Sequence, residues 1–176
     1  MKKILVMTLL SVSMLVYAGC GKEEKEVHDV SISVSEESKE NTAQEAKEAV
    51  DASQIAKNLV ESISYDDQLT EVKLDTAKMF LNFADVDIVE SYIYESSGAT
   101  AEEVVVLVCK DSDSASKAKT AFEQRVEEQT ENFTDYVPAE VPKLKDAVII
   151  TSKEYAILSV SGEASKAKEI IETAFK

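Results

Sequence analysis

The chain has 176 residues, 34 Asp and Glu against 19 Lys and Arg, a net charge of −15, and 44% hydrophobic residues. That length suits one ordinary domain with appendages, and the apolar fraction is enough for a packed core. The acidity argues against a nucleic-acid partner, because a phosphate-binding face needs clustered Lys and Arg. Two Cys and one His offer neither a disulfide framework nor a structural zinc set, so no metal or cofactor is expected.

Lys2 and Lys3 precede Ile4 to Tyr17, an uncharged and mostly apolar run of 14 residues. A spanning helix needs about 20 apolar residues, so the run predicts an export signal. It ends in Leu15-Val16-Tyr17-Ala18-Gly19-Cys20-Gly21, which resembles the lipobox of bacterial lipoprotein precursors. Tyr17 departs from that pattern, which usually has an aliphatic residue there. The resemblance implies removal of residues 1–19 and lipidation of Cys20 with a diacylglyceryl group and fatty acyl chains such as palmitate. The mature chain would then sit at the cell membrane, lipid-anchored on the extracytoplasmic face. Ordinary signal-peptidase cleavage after Val16-Tyr17-Ala18 is the competing reading and would release a secreted protein.

Residues 20–50 read as the lipidated cysteine followed by an acidic disordered tether, turning helical from about Gln44. Four Lys stand against eight Glu and Asp29, a net charge of −5. A flexible coil of roughly 30 residues has an end-to-end distance of about 30 Å, and self-repulsion extends it. His28, the only histidine, lies here and is assigned no role.

Residues 51–176 carry the periodic structure and are expected to form a single globular domain. Asp51 can cap a helix with Ile55, Ala56, Leu59, Val60 and Ile63 at helical spacing. Ala77 to Phe83 predicts a short helix, and Asp87 to Ser96 a strand. Ser97-Gly98 turns the chain into Val104 to Cys109, a strand apolar enough to be largely buried. Asp111-Ser112-Asp113-Ser114 supplies N-caps for a helix running to about Phe133, with Ala115, Ala118, Phe122, Val126, Gln129 and Phe133 on one face. Pro138 and Pro142 break regular structure around Tyr136. A second hairpin, Ala147 to Thr151 and Tyr155 to Ser161, turns through Ser152-Lys153-Glu154. A last helix from Gly162 and Glu163 turns Ala164, Ala167, Ile170, Ile171, Ala174 and Phe175 inward.

The order, a helix and then strand-strand-helix twice, predicts an α+β domain: a two-layer arrangement of about four antiparallel strands with helices on one face. Ala115-Ser116-Lys117-Ala118-Lys119 recurs as Ala164-Ser165-Lys166-Ala167-Lys168, each time opening the helix after a strand pair. An internal duplication and a chance match of five low-complexity residues both account for it. Glu102-Glu103 leading into a strand, Arg125-Val126 with Gln129 on the long helix, and Tyr136-Val137-Pro138 after it resemble the bacterial lipoprotein family of domain of unknown function 4358. The resemblance spans roughly residues 52–175 and implies fold and location, with no activity attached.

No catalytic residue stands out. The acidic pairs Asp66-Asp67, Glu102-Glu103 and Glu127-Glu128 read as solvated carboxylates in so acidic a chain. Asp111-Ser112-Asp113 starts like a calcium loop, but Ala115 and Ser116 occupy its fifth and sixth positions, where an acid and a glycine are required. The body contains no His to activate a serine. Cys109 reads as a buried small hydrophobe. Arg125, the only arginine, lies at the edge of the inward helix face and is expected to pair with Glu103 in a structural or ligand-binding ion pair. The expected function is a non-enzymatic binding module at the cell surface for a protein or small-molecule partner. The alternatives are a hydrolase-like enzyme built on Tyr92, Tyr94 and nearby acids, and an envelope assembly or chaperone-like component.

Overall fold

The computed structural model describes residues 50–176. The signal run, Cys20, the tether to residue 49 and His28 lie outside the described residues.

The first helix, α1 (Ala52–Ser62), begins where Asp51 accepts a hydrogen bond from the Gln54 backbone N–H at 3.1 Å, and it buries Ala52, Ile55, Ala56 and Leu59. A two-residue strand β1 (Thr70–Glu71) and the short helix α2 (Leu74–Ala77) follow. Strand β2 (Ile88–Glu95), strand β3 (Glu103–Cys109) and helix α3 (Ser112–Tyr136) form the first strand-strand-helix unit. A 3₁₀ turn (Pro138–Glu140) leads into α4 (Val141–Lys145). Strands β4 (Val148–Ser152) and β5 (Tyr155–Val160) and helix α5 (Ala164–Ala174) form the second unit.

The sheet has five strands in the order β1-β2-β3-β5-β4, every neighbouring pair antiparallel. The fold is therefore α+β, with one strand more than the four expected. β1 escapes a periodicity reading because two exposed residues carry no alternation.

Helices cover both faces of the sheet, not one. Alternate residues of β3 point to opposite sides. Val105, Leu107 and Cys109 join Ala156, Leu158, Phe122 and Leu144 in one core, under α3 and α4. Val104 and Val106 join Ile157, Ile55, Leu59, Ala167 and Ile171 in a second core, under α1 and α5. Two-sided burial is why β3 is an unbroken apolar run, as strands covered on both faces are.

The two strand-strand-helix units lean on opposite faces. A two-fold axis normal to the sheet, the operation that exchanges antiparallel β3 and β5, would leave α3 and α5 on the same face. No such symmetry relates the units, so the shared pentapeptide gains no support from the fold.

The α2 region also differs from its sequence reading. The helix ends at Ala77, and the chain then turns so that Met79 is 84% exposed while Leu81 and Phe83 are buried. Phe83 meets Phe122 edge-on, with centroids 6.1 Å apart. Asp111 caps α3 through the Ser114 N–H at 2.8 Å, and Ser114 Oγ accepts from the Asp87 N–H at 2.6 Å, tying α3 to the start of β2. Among the described residues no helix is long and apolar enough to cross a membrane.

Candidate functional site

Glu103 opens β3 and stands directly opposite Glu95, the last residue of β2. The two-residue strand period puts both on the α3 face, with Ile93 and Val105. Arg125 reaches down from α3. Its Nε and Nη2 donate to Glu103 Oε2 at 3.2 and 3.1 Å, and Nη2 also reaches Glu95 Oε2 at 3.4 Å. The guanidinium carbon lies 4.9 Å from the centre of the Phe80 ring, within cation–π range. With its amide oxygen turned inward, Gln129 accepts from Arg125 Nη2 at 2.8 Å and Nη1 at 3.2 Å. Arg125 and Glu103 thus lie together, with Glu95, Phe80 and Gln129 around them. The Arg125 and Glu103 side chains are only 13% and 2% exposed. Burial first, then the charge of Glu103, pushes the Glu95 carboxyl up to about 9 against the pull of Arg125.

Glu102, one residue earlier, belongs to a separate cluster. Its carboxylate accepts from the backbone N–H groups of Asp66 at 2.9 Å and Asp67 at 3.0 Å, from Thr100 Oγ1 at 3.1 Å, and from Lys143 Nζ at 3.0 Å. Lys143 also binds Asp66 Oδ2 at 2.6 Å and Glu140 Oε2 at 3.0 Å. Glu140 in turn accepts from the Ala101 N–H at 3.0 Å. Burial lowers the Lys143 pKa, but its hydrogen bonds to Asp66, Glu102 and Glu140 outweigh that and hold the ammonium above the ordinary lysine range.

Glu102 and Glu103 are therefore not solvated: both are buried, each with its own cation. Backbone donors and ammonium or guanidinium groups replace the water that a carboxylate loses on burial. Lys143 and Glu140, hidden near the two prolines, have no sequence pattern that marks them. They are brought to Glu102 by tertiary packing alone.

Beside Arg125 lies a cavity of about 390 Å³ between α3 and the segment following α2. Lys78, Asn82, Gln124, Arg125 and Glu128 supply its polar wall, and Met79, Phe80 and Leu81 its apolar one. Among the described residues no carboxylate approaches Lys78 Nζ within ion-pair distance.

Tyr92 and Tyr94 lie on the opposite face of β2, partly buried against the α1–α5 core, with the Tyr92 hydroxyl 3.4 Å from Glu90 Oε2. Cys109 is a free, buried thiol in the α3 core; burial, and then the charge of Asp111, push it up to about 11. Such a thiol is protonated and unreactive at neutral pH. Among the described residues no group of three or more His, Cys, Asp or Glu is placed to hold a metal ion. Where three carboxylates do converge, the Lys143 ammonium occupies the centre.

Residues 61–161 match the family described as domain of unknown function (DUF4358). The chain belongs to this family. The matched span runs from the end of α1 to just before α5, so it contains both ion clusters and the cavity wall. No curated protein and no solved structure matches the chain. The family description names no activity.

Proposed function

We propose that this protein is a lipid-anchored extracytoplasmic domain that binds a small molecule in the cavity beside Arg125. The observation that carries the binding half of this reading is the cavity itself. Its volume of about 390 Å³ lies within the range of small-ligand sites, and its wall is mainly polar, with Met79, Phe80 and Leu81 adding apolar surface. The Arg125 cluster fixes the back of that wall, because a guanidinium held by Glu103, Gln129 and Phe80 cannot collapse into the space.

The anchoring half rests on Cys20 at the end of an export-type run. Residues 51–176 hold 13 Lys and Arg against 25 Asp and Glu, a net charge of −12. Anionic lipid repels such a body, so a covalent lipid, not surface attraction, has to hold it at the membrane. Two acyl chains meet the two-signal requirement for stable anchoring.

The test of binding is thermal melting of the full chain with a panel of small carboxylates, amino acids and sugars, repeated on Lys78→Ala and Asn82→Ala. A compound that raises the melting temperature of the parent but not of the variants supports the reading. A rise that survives both substitutions places binding elsewhere and overturns it.

A further inference from the structure

Three buried side-chain oxygens of the described residues have no hydrogen-bond partner: Glu95 Oε1, Glu103 Oε1 and Ser159 Oγ. Two of the three belong to the facing pair on β2 and β3. Buried oxygens are almost always satisfied, and a carboxylate can only accept, so two ionised groups could not satisfy one another. The two residues nevertheless face each other across the ladder, and their Oε2 atoms share the Arg125 Nη2 donor at 3.4 and 3.1 Å.

The charges around the pair are few. Arg125 of α3 supplies a single positive charge to Glu95 and Glu103 together. Gln129 of α3 and Phe80 from the segment after α2 are neutral. Thr70 of β1 pairs with Glu95 and Val160 of β5 with Glu103, and neither carries charge. Glu128 of α3 and Lys78 line the cavity next to Arg125. With both carboxyls ionised, two like charges would stand directly opposite across the ladder, an arrangement that destabilises a sheet, and the buried cluster would be left at −1.

We propose that Glu95 and Glu103 form a proton-binding site, in which one proton taken from solvent on folding is held between their two Oε1 atoms. Glu95 carries it as a carboxylic acid and donates to Glu103, whose carboxylate is held by Arg125. The cluster is then neutral and each orphaned oxygen has a partner. The elevated Glu95 pKa, up to about 9, agrees with this assignment. The proton couples the β2–β3 hairpin to α3: losing it leaves Arg125 shared between two competing anions, and the back wall of the cavity loosens. This inference does not depend on the proposed ligand or on lipidation.

The sign of the pH dependence follows. An unfolded Glu releases its proton near pH 4.3, whereas the folded pair keeps one, so the stabilisation is complete in acid and is lost as the pH rises. The experiment compares urea unfolding of the full chain with that of Glu95→Gln, which keeps the Glu103–Arg125 pair and supplies a neutral amide donor. The ratio of parent to variant unfolding constants should grow about tenfold per pH unit from about pH 5 to pH 9. The parent should also show the infrared carbonyl band of a protonated carboxylic acid at pH 7. Both Glu95→Gln and Glu103→Gln should lack it, since in each the remaining carboxylate faces Arg125 alone. A flat ratio, or a parent without the band, overturns the proposal. So does stability that follows sodium concentration at constant ionic strength instead of pH, which would make the occupant a metal cation.

Discussion

Replacing Lys143 with Met removes a charge while keeping most of the side-chain volume, and so tests the second cluster with little cavity formation. Lys143 is the common partner of Asp66, Glu102 and Glu140, and the Glu102 and Glu140 side chains are only 1% and 9% exposed. Removing one member of a buried ion pair costs about 3–5 kcal/mol, because the remaining charge stays desolvated. Two features pull the value down. Glu102 keeps the Asp66 and Asp67 N–H groups and the Thr100 hydroxyl, and Glu140 keeps the Ala101 N–H. Asp66 is largely exposed and adds little. The expected loss is therefore about 3 kcal/mol, and at about 4 °C per kcal/mol for a domain of this size the melting temperature falls by about 12 °C. Urea unfolding followed by circular dichroism reads the difference at unchanged slope. Adding Glu102→Gln to Lys143→Met should restore part of the loss by removing one stranded charge. Lys57→Met, which breaks an exposed α1 pair, should cost less than about 0.5 kcal/mol and calibrates the scale. A Lys143→Met loss below about 1 kcal/mol would refute the reasoning, since it would make the buried cluster no more consequential than a surface pair.

Arg125→Lys removes the second donor to Glu103 and the Phe80 contact, and should cost about 1–2 kcal/mol; an unchanged thermal melt would contradict that. Asp111→Ala deletes the α3 cap and should cost about 1 kcal/mol, with faster amide exchange confined to the first turn of that helix. In a Cys20→Ala background Cys109 is the sole thiol, and a disulfide reagent at pH 8 should label it only as fast as the protein opens. Rapid labelling of the folded protein would show the thiol to be accessible.

What was legible in the sequence follows from periodicity. The Asp51 cap, the α1 face of Ile55, Ala56 and Leu59, and the α3 face of Ala115, Ala118 and Phe122 are local patterns, and the helices form where those patterns lie. Both hairpins were visible because β-rich runs flank turn residues; the second turns through Lys153 at a φ of 52°. Layer assignment went wrong for a reason also present in the chain. The unbroken run Val104–Cys109 signals burial on two faces, and a sheet covered on one side would alternate. α4 was hidden because Pro142 interrupts a helix interior yet fits a first turn, where its missing N–H is not needed.

The site divides in the same way. Arg125 could be picked out as the one planar cation at the edge of the α3 face, and Glu103 as a carboxylate at the mouth of a buried strand. Glu95 could not, because its position opposite Glu103 depends on the register across the loop of residues 96–102. Composition misled over Glu102 and Glu103: an excess of acid makes solvation the ordinary expectation, and only the tertiary arrangement of Lys143, Arg125 and backbone N–H groups makes burial tolerable.

The central claim, a binding domain held at the membrane through Cys20, is tested most directly by metabolic labelling of the full chain with radioactive palmitate beside Cys20→Ala. Lipidation at Cys20 gives labelled parent protein in the membrane fraction and an unlabelled Cys20→Ala chain that leaves it. Unlabelled parent protein recovered from the medium would contradict the claim.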